Sequence, residues 1–427
     1  MGDDATTTPE LVGRVRDFVR EVVIPIEEAH LGVLHRPDLA AHDLAGGRVD
    51  DGERALRLAL QDAARDAGLL APHLPIAWGG HGLTHLGRAS VFEAAGYSLF
   101  GAVALNIAAP DEGNMHLLLE AASAEQRERW LRPLATGDIH SAFAMTEPPP
   151  GAGSDPRALT TRAERVDGGW RITGDKWFIT GAREAGLVIV LARTSGEPGD
   201  AGGATMFLVD GASPGIEIVR DVHTLDAGLY AGHSLVRFDG CLVPDDAVLG
   251  EVDHGFEAAQ VRLAPARLTH CMRWLGLAGR AHDLALAHVA ERRAFGSAIG
   301  DLGLAQQHLA DNEIDLAASR ALIRETARVL DAAEAGTPTG IDAGAPDPGS
   351  ASSVAKTFVA EAVGRIVDRS VQLSGGQGVS DELLLSRYWR EVRPFRIYDG
   401  SSETHRWSIA KRAVRQHRKG LRHDLAQ

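Results

Sequence analysis

Cysteine is nearly absent from this chain, and that absence removes two ways of building a fold. Cys241 and Cys271 are the only two among 427 residues. They lack CxxC spacing, so neither a disulfide framework nor a structural zinc centre organises the protein, and both read as core residues. Long hydrophobic stretches are also missing. No run of about 18 apolar residues occurs and no basic start leads into an apolar segment, so neither a membrane span nor a signal peptide is expected, and the expected location is cytoplasmic. Positive charge is in deficit, with 44 Lys and Arg against 58 Asp and Glu and a formal net charge of −14. That balance opposes attraction to nucleic acid or to an anionic membrane surface, and neither is expected as a partner. The basic stretch from Lys411 to Arg422 reads as a solvated helix end whose cations complement the helix dipole.

Several chemistries drop out for want of a motif. There is no HExxH and no GxSxG, which excludes zinc-protease and nucleophile-elbow readings. The glycine-rich runs GAGSD (151–155) and GGQG (375–378) lack the strand-to-helix setting of a dinucleotide fingerprint, since three prolines precede the first and the second ends a helical pattern. Glu27 and His30, and again Glu251 and His254, repeat a Glu-x-x-His spacing. A di-iron site would need both on facing helices with further carboxylates, and the second pair falls in the glycine-bounded GEVDHGF, so no metal site is expected.

The texture that remains has three parts. Residues 1–140 carry apolar positions at three- and four-residue spacing and predict a helical N-terminal domain. Residues 141–256 hold short β-branched and aromatic runs (GGWRIT, KWFIT, LVIVLART, TMFLVD) between Gly, Asp and Pro, which predict a small β-domain. Gly174-Asp175 reads there as a hairpin turn. Residues 257–427 return to helical spacing, with Pro265 suited to the first turn of a new helix and a mobile Ala/Gly/Pro/Ser-rich joint at 335–352. Helices, then strands, then helices give an α+β class, without the alternation of a parallel α/β sheet.

Six motifs in this order carry a more specific signal: AFAMTEPPPGAGSD (142–155), GDKWFITGA (174–182), ARLTH (266–270), ERRAFG (291–296), QLSGGQG (372–378) and IYDGSSE (397–403). Together they resemble the acyl-CoA dehydrogenase family over nearly the whole chain. The stretches Arg267 to Phe295 and Gln372 to Asp399 run against the family pattern without a gap. The resemblance implies the family fold: an N-terminal helical domain, a middle β-barrel-like domain and a C-terminal four-helix bundle. It implies FAD as cofactor, an acyl-CoA substrate, an electron-transfer flavoprotein as electron acceptor, and a homodimer or homotetramer.

Site residues follow from the same resemblance. Met145, Thr146, Phe178 and Thr180 match positions beside the flavin ring, and Ser154, Arg267 and Gly400 positions near the acyl-CoA. Arg292, Phe295, Gln372, Gly375 and Gly376 match positions at the pyrophosphate and adenosine, partly supplied to a neighbouring subunit, and Ser401 and Glu403 match further cofactor contacts. Asp399 matches the acidic residue that takes the α-proton while hydride leaves the β-carbon. The alternative seat of the base, on the helix bearing Arg267, is Ala266, which takes no proton. Three departures from the pattern stand out. Pro149 and Pro150 lengthen the TEPGAGSD loop and are expected to displace it, Gly303 replaces a glutamine, and Asp399 stands where most members have glutamate. Aspartate and glycine at these positions, and the HCMR of 270–273, resemble a subgroup that is fused in animals to a kinase-like domain. Two other readings stay open: an oxidase of the nitroalkane oxidase type, which also uses an aspartate base, and a flavoprotein of this fold without dehydrogenase activity.

Overall fold

The computed structural model describes residues 7–30, 51–226, 232–337 and 347–418. Residues 338–346 of the expected mobile joint and the 419–422 end of the basic stretch lie outside the described residues. Packing divides the chain into two units, one of residues 1–35, 81–102 and 264–427 and the other of residues 36–80 and 103–263. Texture alone separates 1–140, 141–256 and 257–427, whereas packing sorts the N-terminal helices between the two units.

The first unit is helical. Its longest element, Gly255–Glu291, begins before the unit boundary and contains Pro265 in its interior. The expectation that Pro265 opens a new helix is therefore corrected. A proline removes one N–H from the helical ladder, and the Ala- and Leu-rich flanks offset that cost through helix propensity and burial. Leu268, Met272, Leu275, Ala278, Ala281, Ala285 and Val289 form its buried stripe, at the three- and four-residue spacing of one helix face. Gly303–Glu334 and Pro348–Leu373 pack along each other. Gly255–Glu291 also meets the His85–Ala95 segment at two glycines. A Cβ on Gly276 would lie 2.1 Å from the Glu93 carbonyl oxygen, and one on Gly96 would lie 2.1 Å from that of Arg273. Glu27 is buried against Arg280 and accepts the Leu99 N–H at 3.1 Å, while His30 Nδ1 lies 2.8 Å from the Ile26 carbonyl. Neither is arranged as a metal ligand.

The second unit is built on an eight-stranded mixed sheet. Its strands are β1 His140–Ala144, β2 Arg162–Val166, β3 Gly169–Thr180, β4 Ala185–Arg193, β5 Ala204–Asp210, β6 Ile216–Val222, β7 His233–Pro244 and β8 Val248–Leu249. The order is β6-β7-β3-β2-β4-β5-β8, and β1 pairs with β4 in parallel. β4 reads as an unbroken apolar run because both of its faces are covered. Leu187, Ile189 and Leu191 pack with Met115, Leu118, Trp130 and Leu134 on one face, and Val188, Val190 and Ala192 pack with Trp170, Ile172 and Phe238 on the other. Gly174-Asp175 is not a hairpin turn, as expected, but lies inside β3. The turn is Asp167-Gly168, between the paired Val166 and Gly169, with Gly168 at φ 74°. Asp-Gly is the stronger two-residue hairpin signal, because glycine takes positive φ without a Cβ penalty. Among the described residues, no helix is long and apolar enough to cross a membrane.

Candidate active site

In the helical unit, Asp399 sits in the short connection between the turn of Arg393–Arg396 and the helix Ser402–Arg418. It adopts φ 52°, and Gly400 follows at φ 95°. Two successive left-handed residues reverse the chain sharply, and Asp and Gly are among the residues that enter this region most readily. The turn is held by its carbonyls. Arg267 Nε donates to the Asp399 carbonyl at 3.0 Å, His405 Nε2 reaches the same oxygen at 3.1 Å, and Lys356 Nζ donates to the Gly400 carbonyl at 2.5 Å. Two elements distant in sequence and the helix that follows the turn thus converge on two peptide groups. The Asp399 carboxylate is met by His270, with Nε2 to Oδ2 at 3.1 Å. His270 Nδ1 in turn lies 2.8 Å from a guanidinium nitrogen of Arg273. The His270 ring packs on Tyr398 and Phe395, and Trp274 Nε1 donates to the Tyr398 hydroxyl at 2.5 Å.

Burial governs the charges around this turn. It lowers Lys356 to about 8, although Asp399 pulls the other way. It lowers Arg267 against the same pull. His405 falls to about 4 through burial and then the charges of Arg267 and Lys356, so it is neutral near pH 7 and holds the Asp399 carbonyl as an uncharged donor. Ser401 Oγ accepts the Thr404 N–H at 3.2 Å, and Glu403 is exposed beside Arg406.

In the β unit, Met145 and Thr146 leave the end of β1 and are tied to β3. Lys176 Nζ donates to the Met145 carbonyl at 3.2 Å, and Trp177 N–H to the Thr146 carbonyl at 2.8 Å. Register slips between Lys176 and Ile179, and Phe178 there has φ 55° and is 46% exposed, stacked on Trp177 with centroids 4.7 Å apart. The bulge turns an aromatic face outward from a strand that would otherwise bury it. Thr180 Oγ1 lies 2.9 Å from His233 Nδ1, and Asp226 lies beyond at 3.1 Å from the other ring nitrogen. Pro148 to Gly151 closes as a turn through Gly151 N–H to the Pro148 carbonyl at 2.9 Å, so Pro149 and Pro150 are contained within it. Buried Glu147 pairs with Lys176 at its base, and Ser154 is exposed beyond it.

The remaining predicted residues lie on open surfaces of the helical unit. Arg292 follows the Gly255–Glu291 helix and is exposed. Phe295, with φ 55°, and Gly296, with φ 88°, form the tip of a tight hairpin, and Phe295 is 95% exposed. Gln372, Gly375 and Gly376 are exposed at the end of Pro348–Leu373, and a Cβ on either glycine would meet nothing within 4 Å. The same holds at Gly303, so nothing in the packing requires glycine there. Sequence reasoning passed over Lys356, Glu147 and Lys176, and gave His270, Arg273 and His405 no role. The only signal was local: Arg267, His270 and Arg273 recur at three-residue intervals, which brings them near one helix face.

Three stretches match domains of acyl-CoA dehydrogenases: the N-terminal domain over residues 7–138, the middle domain over 142–241 and the C-terminal domain over 253–414. The probable acyl-CoA dehydrogenase FadE2 of Mycobacterium tuberculosis is 34% identical over 401 residues, 93% of this chain and 93% of that protein. Acyl-CoA dehydrogenase family member 10 of Mus musculus is 31% identical over 412 residues, 94% of this chain but 36% of that longer protein. A solved structure assigned to the acyl-CoA dehydrogenases of Mycobacterium abscessus superimposes with a TM-score of 0.84 at 33% identity, covering 96% of this chain and 98% of that one.

Proposed function

The chain belongs to the acyl-CoA dehydrogenase family, and from that membership we propose that it converts an acyl-CoA thioester to the 2-enoyl-CoA with Asp399 as the base. It is an FAD-dependent oxidoreductase. When bound, FAD supplies the two-electron acceptor that receives the β-hydride. The chain's own surfaces fit such a group. Gly375 and Gly376 leave open backbone for close approach, exposed Arg292 suits a pyrophosphate, and Phe178 offers an aromatic face fixed by its bulge.

The observation that carries the reading is the anchored turn at Asp399. A carboxylate that takes a proton from carbon must be held in one place, because an error near 1 Å costs about 100-fold in rate. Arg267, His405 and Lys356 fix the two peptide groups that follow the Asp399 side chain, and His270 meets the carboxylate itself. Ala266 is 3% exposed and carries no group that could take the proton instead. In this reading electrons leave to an electron-transfer flavoprotein. The exposed Phe295 tip suits a cofactor site completed across a homodimer or homotetramer.

The test is anaerobic mixing of the FAD-loaded protein with short- to long-chain acyl-CoAs while the flavin absorbance is followed. Asp399→Asn is expected to retain FAD and to lose bleaching by every acyl-CoA that bleaches the parent protein. Normal bleaching in that variant would remove Asp399 from the mechanism. Bleaching of the parent by nitroalkanes alone would replace the dehydrogenase by an oxidase.

A further inference from the structure

We propose that His270, held in a single tautomer by Arg273, is the positioning residue that orients the Asp399 carboxylate for proton abstraction; the inference rests on Asp399 being the base. Arg267, His405 and Lys356 are directed at main-chain carbonyls of the turn, and these contacts fix its backbone. A fixed backbone still leaves the carboxyl free to rotate about the bonds of its own side chain. His270 supplies the contact to the carboxylate, from Nε2 to Oδ2 at 3.1 Å.

The direction of that contact follows from its far end. Arginine has donors only, so Arg273 at 2.8 Å from Nδ1 makes that nitrogen the acceptor. A neutral imidazole with a bare Nδ1 carries its proton on Nε2, which faces Asp399. The opposite tautomer would set a lone pair against the carboxylate and leave that guanidinium nitrogen of Arg273 without the acceptor it has here. Both side chains are buried, His270 at 7% and Arg273 at 8% exposure, where an unmet hydrogen bond is costly. Tyr398 and Phe395 hold the ring plane, with centroids 4.8 and 5.9 Å away. The Arg273 main chain is pinned by its close approach to Gly96.

The α-proton goes to the carboxylate that His270 orients. The Cα–H bond would break, an O–H bond would form on the Asp399 carboxylate, and the freed electron pair would make the Cα–Cβ double bond, a bound FAD supplying the acceptor for the β-hydride. His270 neither gains nor loses a proton in this step.

The test compares Asp399→Asn, His270→Phe, His270→Gln, Arg273→Met and the His270→Phe/Arg273→Met double variant, each loaded with FAD. The reducing probe is the acyl-CoA that bleaches the parent fastest, and the binding probe is the S-alkyl-CoA thioether of the same chain length. Phenylalanine keeps the ring packing and removes the donor, whereas glutamine places an amide N–H at about the reach of Nε2. His270→Phe is expected to slow flavin reduction about 100-fold, with FAD content and thioether Kd unchanged, and His270→Gln to recover most of that loss. Arg273→Met should resemble His270→Phe, and the double variant should be no slower than either, since both remove one contact. Spectra of 15N-histidine-labelled protein should show a protonated Nε2 and a bare Nδ1 at His270, a pattern lost in Arg273→Met. Parent-like rates in His270→Phe, equal losses in His270→Phe and His270→Gln, or additive losses in the double variant would each overturn the inference while leaving Asp399 as the base. Normal reduction by Asp399→Asn would overturn the base assignment and this inference together.

Discussion

Glu147 and Lys176 form a buried ion pair whose rupture should be the most damaging single change in the β unit. Neither side chain has any exposed surface, and Lys176 Nζ lies 2.9 Å from Glu147. The carboxylate also accepts Thr161 N–H at 2.8 Å, Thr160 N–H and hydroxyl at 2.7 Å each, and Ala152 N–H at 3.2 Å. Burial alone would raise the Glu147 carboxyl, but Lys176 and these donors outweigh it and hold it at about 2, against an ordinary 4.5. Lys176, in contrast, is lowered to about 8 by burial despite its partner. The richer donor set lies on the Glu147 side, and it keeps the carboxyl depressed. Glu147→Gln should cost about 3–5 kcal/mol, mostly from leaving Lys176 buried and unpaired. Urea unfolding followed by tryptophan fluorescence reads this, with Trp177 adjacent to the break. Because the folded-state pKa is depressed, the carboxylate's contribution is present above pH 4.5 and is lost as pH falls toward 2. The gap between parent and variant should therefore narrow across that window. Adding Lys176→Met should restore much of the loss, since an apolar replacement removes the stranded charge. A variant within about 1 kcal/mol of the parent, or a double variant worse than the single one, would refute the reasoning.

Other perturbations test the helical unit. His405 is lowered from 6.5 to about 4, so the unfolded chain binds its proton first and stability should fall as pH drops through that interval; His405→Phe should flatten this part of an acid-unfolding profile. Gly276→Ala places a Cβ 2.1 Å from the Glu93 carbonyl oxygen and should cost about 1–3 kcal/mol in thermal or urea unfolding. Asp399→Glu should slow flavin reduction about tenfold or more instead of improving it, measured by anaerobic stopped-flow with FAD content as control.

What could be read in the sequence followed the range of the forces involved. The β4 run announces itself because a strand covered on both faces is apolar at every step, whatever its neighbours are. Gly174 misleads because glycine serves two purposes. Here it lets β3 pass Thr161, whose Oγ1 would lie 2.6 Å from an added Cβ, and makes no turn. Pro265 misleads because its local penalty is overridden by burial along the whole Gly255–Glu291 helix. At the candidate site, the motif locates Asp399 but carries no trace of Lys356 or His405 acting on the same turn. Those contacts join positions 44 and 6 residues apart, and only tertiary packing decides which donor meets which carbonyl.

The same packing explains why aspartate is suited to position 399. A side chain one methylene shorter than glutamate gives up about 1.5 Å of reach, and the backbone is where that distance has to be recovered. Left-handed φ is strained for most residues, at on the order of 1–3 kcal/mol, and survives only where the surroundings over-determine it. Asp399 at φ 52° is so determined, with two donors on its own carbonyl and a third on that of Gly400. Aspartate enters this region more readily than glutamate, so the identity of the base and the shape of the turn are coupled. Glutamate at 399 would strain the turn and push the carboxylate past Nε2 of His270, losing that contact. A longer acid would help only if the backbone could relax, and Arg267, His405 and Lys356 together oppose that. A faster Asp399→Glu enzyme with FAD content intact would show that reach, not orientation, limits the reaction.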